Sequence, residues 1–207
     1  MFHSTRLPMI ALFASQQVFA AQAPPSQAPI TTFGVTVIDA YGLRGEIYLL
    51  EEGTAWLPNF RKLKPVGAVY THALNIPPRN FAEGFPGITD KFEWFAIDYH
   101  GNFWIEKPGK YRFRLSSDDG SKLYIDNKKV VDNDDLHPMQ TEQGHVTLKG
   151  GFHKIRVEYF QGPRMVLALI LEVAGPDDAN FRIFSTHEFR PPGNPEDWKY
   201  DAVSPKR

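Results

Sequence analysis

Residues 111–132 read YRFRLSSDDGSKLYIDNKKVVD, and this stretch decides the fold class. Apolar and polar residues alternate in YRFRL and again in KLYID, which is the period-2 pattern of a half-buried β-strand. Asp118, Asp119 and Gly120 separate the two runs and predict a tight acidic turn between successive strands. Asp126 and Asn127 then predict a two-residue hairpin turn, because Asp and Asn tolerate positive φ.

The adjacent Asp pair has two interpretations. Asp side chains readily accept backbone N–H groups at turns, so Asp118 and Asp119 can be purely structural. Two carboxylates on one loop can also form the hard-oxygen half of a cation site, the ligand type that calcium prefers. The residues of the loop leave both interpretations open.

The same alternation extends on both sides of this stretch. A nearly continuous apolar run, VLALILEV at 166–173, predicts a central strand that is covered on both faces. Gly150-Gly151 predicts a two-residue hairpin that pairs Leu148 with His153. Residues 133–144 are polar and predict a loop. With about nine to eleven strands and no convincing long helix, we predict an all-β antiparallel sandwich or barrel over residues 33–190.

The two ends of the chain lack a core pattern. Residues 1–23 carry a short apolar core, LPMIALFA, followed by small-residue cleavage options that end at Ala20 and Ala23, and predict a secretory signal peptide. Residues 24–32 predict a Pro-rich linker, and residues 191–207 a flexible tail. No later segment is apolar over the ~20 residues that a membrane span needs. We therefore expect a secreted, periplasmic or cell-surface protein.

Composition narrows the function. The formal net charge is -1, which argues against a general nucleic-acid or anionic-membrane binder, because both need a basic excess. Cysteine is absent, so disulfides, thiolate metal sites and cysteine nucleophiles are excluded. The cluster at Asp132, Asp134 and Asp135 lacks EF-hand spacing, and no nucleophile elbow, zinc-protease motif or phosphate-binding loop is present. We expect no enzymatic activity.

Three blocks resemble a known family. They are GLRGEIYL at 42–49, FWIEKPGKYRFRLSSDDGSKLYIDNKKVVDND at 103–134, and LKGGFHKIRVEYFQGPRMVLALILEV at 148–173. Together they are similar to the PA-fourteen domain family, which is named after the small fragment of anthrax protective antigen. The resemblance implies a β-sandwich or barrel module that recognises carbohydrate and does not catalyse a reaction.

The resemblance also implies a site. In the flocculin and epithelial-adhesin lectins of this family, two successive Asp residues joined by a cis peptide hold a calcium ion that binds sugar, and a second loop adds an Asn. Asp118 and Asp119 match that pair, whereas Gln161 stands where the lectins have Asn. Arg164 makes the second loop more basic, and beside the ion it would repel calcium. The departures leave open whether calcium is bound.

Aromatic residues in the Pro-rich segment 56–85 are the remaining candidates, because sugar rings stack on aromatic faces. Trp56, Tyr70 and Phe85 are expected to shape the sugar pocket. The first hypothesis is a secreted carbohydrate-binding module whose partner is a glycan or extracellular polysaccharide. The alternative is an envelope or extracellular domain that uses the same scaffold to contact another protein, without metal or sugar.

Overall fold

The structure is a computed structural model, and it describes residues 32–38, 41–163 and 166–193. The predicted signal peptide and nearly all of the predicted linker and tail lie outside these ranges. The described residues form eleven strands and one short 3-10 helix at Phe60–Lys62. In chain order the strands are β1 (Leu43–Leu49), β2 (Gly67–Thr71), β3 (Asn75–Arg79), β4 (Phe95–Ile105), β5 (Gly109–Asp118), β6 (Ser121–Ile125), β7 (Lys128–Asn133), β8 (Gln140–Leu148), β9 (Gly151–Gln161), β10 (Leu167–Ala174) and β11 (Arg182–Ile183).

These strands form two antiparallel sheets. The first sheet has the order β2-β1-β4-β9-β6-β7, and the second has the order β11-β10-β5-β8. β3 also pairs with β10, on the same side of β10 as β11. Inner-face side chains of both sheets meet in one apolar core, as in an aligned sandwich. The all-β prediction is confirmed, and so is the central position of β10, which has strands on both sides.

The Asp126-Asn127 hairpin is also confirmed. Both residues have positive φ, 49° and 65°, and the flanking residues Ile125 and Lys128 face each other across the turn. Positive φ at both central residues gives a two-residue turn whose twist matches that of the flanking strands. Local turn chemistry was sufficient to predict it.

The acidic turn, in contrast, does not join paired strands. β5 belongs to the second sheet and β6 to the first, and each pairs with other strands. Asp118, Asp119 and Gly120 therefore carry the chain across one end of the sandwich. The pair lies at a corner where the two sheets approach, and loops from other strands can reach it there.

The predicted hairpin at Gly150-Gly151 is wrong for the same reason. β8 pairs with β5, and β9 pairs with β4 and β6, so Leu148 and His153 are not cross-strand partners. The alternation itself was interpreted correctly, because Leu148 and Ile155 are both buried in the common core. They reach it from opposite sheets.

The Pro-rich segment is more ordered than its sequence indicates. β2 was predicted from VGAVYT, whereas β3, with the sequence NIPPR, was not. Proline cannot donate a ladder hydrogen bond, so it fits only where a strand's N–H groups are not all needed. β3 meets this condition because it pairs with β10 alone, through an irregular register.

Candidate functional site

Asp118 and Asp119 stand at one end of the sandwich. Asp118 is the last residue of β5, and the peptide bond that joins it to Asp119 is cis. Buried hydroxyl and amide groups hold the two ends of the turn together. The Oγ atoms of Ser117 and Ser121 lie 2.6 Å apart, and Asn133 Nδ2 donates to Ser117 Oγ at 2.9 Å. The position of the carboxylates is therefore determined by both sheets.

Three loops converge on Asp119, which is only 6% exposed. Its Oδ2 accepts the backbone N–H of Gly162 at 2.8 Å, and its Oδ1 accepts the backbone N–H of His137 at 3.2 Å. Gly120 allows this approach, because a Cβ there would collide with the Phe160 ring and lie 2.9 Å from the carbonyl oxygen of Asp135. The acidic turn, residues 134–139 and residues 161–163 thus form one structural unit.

The pair is electrostatically unfavourable when no cation is bound. Burial and then the neighbouring Asp119 carboxylate raise the pKa of Asp118 to about 6. Burial also raises the pKa of Asp119, although the two backbone N–H groups oppose the shift. Neither carboxylate has a Lys or Arg among its interaction partners within the described ranges. Two close carboxylates in partial burial would be stabilised by a bound cation.

This shift predicts a pH dependence for the metal-free protein. Because the folded-state pKa of Asp118 lies above the ordinary value of 3.8, the folded protein takes up the proton more readily than the unfolded chain. The penalty is fully present above about pH 6 and is relieved as pH falls toward 3.8. In EDTA, wild type should gain melting temperature relative to Asp118→Asn between pH 7 and pH 5. Parallel melting curves over that interval would contradict the shift.

Gln161, which was predicted to complete an ion site, is buried and already engaged. Its Oε1 lies 2.7 Å from the hydroxyl of Tyr159, and its Nε2 donates to the carbonyl oxygen of Pro163 at 3.1 Å. The Tyr159 hydroxyl is also 2.7 Å from the carbonyl oxygen of Asp118, and with one proton it donates to one of the two. In the structure, the Gln161 side chain therefore stabilises its own loop through these hydrogen bonds.

The other predicted residues are dispersed. Trp56 is 63% exposed and lies at the same end as the pair, because the next residue, Leu57, donates its N–H to Asp134 Oδ1 at 2.8 Å. Phe85 is 4% exposed and packs in the core, so the prediction that its ring faces a sugar is wrong. Arg164 lies outside the described residues.

Tyr70 is not part of this site. It is on β2, in register with Arg44 on β1 and through Arg44 with His100 on β4. Gln161 pairs with Phe95, which is five residues from His100 along β4, or ~17 Å at ~3.3 Å per residue. Tyr70 lines a separate cavity on the outer face of the first sheet.

Residues 134–139 also contribute contacts to the site, although their sequence indicates only a polar loop. His137 takes part through its backbone N–H, and Leu136 lies against Gly162. Leu136 and Met139 are exposed and give the rim of the site an apolar border. A backbone donor leaves no signal in a side-chain pattern, so only the tertiary structure reveals it.

The described ranges hold neither a ready-made metal cluster nor a membrane-spanning helix. No group of three or more His, Cys, Asp or Glu side chains in residues 32–38, 41–163 and 166–193 is arranged to hold a metal ion. An ion at the Asp pair would therefore need further oxygens from backbone, water or ligand. Within the same residues, no helix has the length and apolar character of a membrane span.

Comparisons with known proteins agree with this architecture. Residues 71–185 match the family model described as the PA14 domain. The fold is similar to the PA14 sugar-binding domain from an RTX adhesin, with a TM-score of 0.58 and 20% identity over 70% of this chain and 96% of that one. It is also similar to the PA14 domain of the MpAFP antifreeze protein, with a TM-score of 0.61 and 17% identity over 75% and 94% of the two chains.

A third similar structure is the epithelial adhesin 9 A domain from Candida glabrata in complex with Galb1-4GlcNAc. Its TM-score is 0.51, with 15% identity over 70% of this chain and 86% of that one. No curated protein matches the sequence at a significant level. At these identities the structural likeness concerns the fold alone.

Proposed function

Because this chain belongs to the PA14 domain family, we propose that it is a secreted, non-catalytic carbohydrate-binding module with its site at Asp118 and Asp119. One observation carries the proposal. Two adjacent, partly buried carboxylates have raised pKa values and no Lys or Arg partner in the described part of the chain. Such a pair is costly for folding alone, so its placement among three loops at one end of the sandwich favours a role in binding.

The ligand class is supported by similar structures. One is described as a sugar-binding domain of an adhesin, and another was determined in complex with Galb1-4GlcNAc. In this chain, exposed Trp56 offers an aromatic face at the same end of the sandwich as the Asp pair, and Leu136 and Met139 supply apolar surface. Sugar rings bind through a combination of such apolar faces and hydroxyl contacts.

Calcium is the ion that fits the donors. It binds carboxylate, carbonyl and water oxygens in flexible geometry, and when bound it would supply coordination positions for sugar hydroxyls. Each carboxylate oxygen of Asp119 accepts one backbone N–H and has a further lone pair. Asp118 and Asp119 would hold the ion, and Gln161 would act by holding its loop in place.

A glycan array with calcium and with EDTA tests the proposal. We expect wild-type protein to bind at least one glycan in calcium, with binding at least about tenfold weaker in EDTA. Calcium at about 100 times its Kd should also raise the free energy of unfolding by about 2.7 kcal/mol through mass action. Both effects should disappear in Asp119→Asn and in Asp118→Asn, which change one oxygen to an amide nitrogen.

Asp177→Asn is the matched control, because Asp177 is exposed and pairs only with Lys107 on the described surface. It should behave like wild type in both measurements. If no glycan binds and calcium leaves the melting temperature unchanged, the lectin proposal is wrong, and the alternative of a protein-contacting envelope domain gains support.

A further inference from the structure

A large cavity on the described surface lies away from the Asp pair. It has a volume of about 1450 Å³ and occupies the outer face of the first sheet. Its floor is formed by outward-facing residues of β4 and β9, where Arg156 pairs with His100 and Lys154 with Asn102. This volume exceeds the ~300–1,000 Å³ of common small-molecule sites, so the cavity can accommodate an oligomeric ligand.

The cavity concentrates positive charge on a chain whose formal net charge is -1. Among its described lining residues, five side chains have fixed positive charge: Arg44, Arg61, Lys154, Arg156 and Arg190. Three carboxylates oppose them, one from the lining residue Asp98 and two from Glu46 and Glu158, which contact Arg44 and Arg156. Like charges around one concave surface repel one another and attract anions from solution. The distribution is therefore typical of a surface that binds a negatively charged partner.

Two of these cations are already neutralised within the protein. Arg44 pairs with Glu46 at 2.6 Å, and Arg156 pairs with both Asp98 and Glu158 at 2.7 Å. These contacts explain how the floor is stable without a ligand. The other three cations of the cavity are Arg61, Lys154 and Arg190.

Arg61, Lys154 and Arg190 have no carboxylate at ion-pair distance among residues 32–38, 41–163 and 166–193. The Nε atom of Arg190 is buried and has no hydrogen-bond acceptor within the same ranges. A buried donor without an acceptor destabilises the protein, and a charge-assisted hydrogen bond to an anion would remove that cost. Arg61 and Lys154 are therefore available to a ligand. The Arg190 guanidinium, which lies 5.3 Å from the centre of the Tyr41 ring, can add a third positive charge.

Aromatic groups accompany the cations. Phe152 is 64% exposed and lies two residues before Lys154, on the same outward face of β9. Phe60 and Tyr124 flank the Arg156 guanidinium at 5.7 and 5.6 Å from their ring centres. Rings beside cations favour a ligand with both an apolar face and a negative charge over a simple inorganic anion.

We propose that this cavity is a second binding site, which takes an acidic oligosaccharide. Arg61, Lys154 and Arg190 bind its carboxylates, and Phe152 packs against a sugar ring. The site does not use the Asp118–Asp119 loop, so it requires no calcium and stands independently of the proposed lectin function.

Isothermal titration calorimetry of the full chain in EDTA tests the proposal, with trigalacturonate as the acidic probe. Its fully methyl-esterified form has the same rings without the charge. We expect trigalacturonate to bind and the ester to bind at least about tenfold more weakly. Sodium sulfate at equal charge concentration should not displace the probe, because it lacks the ring contact. Absence of trigalacturonate binding, or equal binding of the ester, would overturn the proposal.

Variants locate the binding. Arg61→Gln combined with Lys154→Gln should weaken trigalacturonate binding at least about tenfold. The control pair Lys110→Gln and Lys149→Gln removes the same charge from exposed positions elsewhere and should change the Kd less than about twofold. Equal weakening by both pairs would indicate attraction to net charge alone and would refute the site. Asp119→Asn should leave trigalacturonate binding unchanged, which separates this site from the calcium-dependent one.

Discussion

Replacing Arg156 with Met is expected to lower the free energy of unfolding by about 3–5 kcal/mol. Arg156 donates to both carboxylate oxygens of Asp98, at 2.8 and 2.7 Å, and Asp98 is only 3% exposed. Burial raises the pKa of Asp98, but the bonds from His100 and Arg156 lower it further, so the carboxylate stays charged. Without Arg156 this buried charge would lose two hydrogen bonds and keep only His100, whose Nε2 lies 3.0 Å from Asp98 Oδ2, among its side-chain partners in the described residues. Urea unfolding at pH 7 measures the loss.

Arg114 provides a matched control. It also donates two hydrogen bonds to one carboxylate, that of Glu172 in the second sheet, with both distances 2.6 Å. Because Glu172 is more exposed than Asp98, while the two arginines are equally exposed, Arg114→Met should cost about 1 kcal/mol or less. The double variant Asp98→Asn/Arg156→Met should recover part of the Arg156→Met loss, since it removes the stranded charge. Equal costs for the two single variants would show that burial of Asp98 is not the cause.

Replacing Phe95 with Ala is expected to cost about 3–5 kcal/mol by creating a cavity in the core. Phe95 is fully buried at the start of β4 and packs against four aromatic rings, whose centres lie 5.0 to 6.2 Å away: Phe33, Phe81, Phe85 and Tyr159. The same residue pairs with Gln161 beside the Asp site. The variant should therefore also loosen the loop that Asp119 contacts. Urea unfolding gives the free energy, and calcium-dependent glycan binding gives the second effect.

Phe152→Ala is the matched control, because it removes a phenylalanine ring from the surface instead of the core. Its ring is mostly exposed and contacts Trp104, so its loss should change stability by about 0.5 kcal/mol or less. A comparable cost at both positions would contradict the assignment of Phe95 to the core.

The strands themselves were largely predictable, because alternation reports which side chains are buried. The Asp126-Asn127 turn and the doubly flanked β10 followed from local residue types. β3 did not, since its two prolines indicate a loop unless the neighbouring strand is known. Phe85 was misjudged similarly, because a Pro-rich context predicts exposure while the ring packs against Phe33, Phe81 and Phe95.

The pairing of neighbouring strands was the part of the fold that the sequence pattern predicted least well. The connections at Gly120 and at Gly150-Gly151 both resemble hairpins, yet each joins one sheet to the other. Period-2 alternation specifies the face that meets the core, and in a sandwich both sheets share that core. An apolar face therefore cannot tell a paired neighbour from an opposing sheet.

By itself, the sequence determined the all-β class and marked Asp118 and Asp119 as an acidic pair at a strand end. Only the tertiary structure decided what surrounds the pair: the backbone N–H groups of His137 and Gly162, and a Gln161 side chain engaged elsewhere. It also assembled Arg61, Lys154 and Arg190 around one cavity. The physical reason is that these contacts join residues far apart in the chain, several through backbone atoms that every residue has.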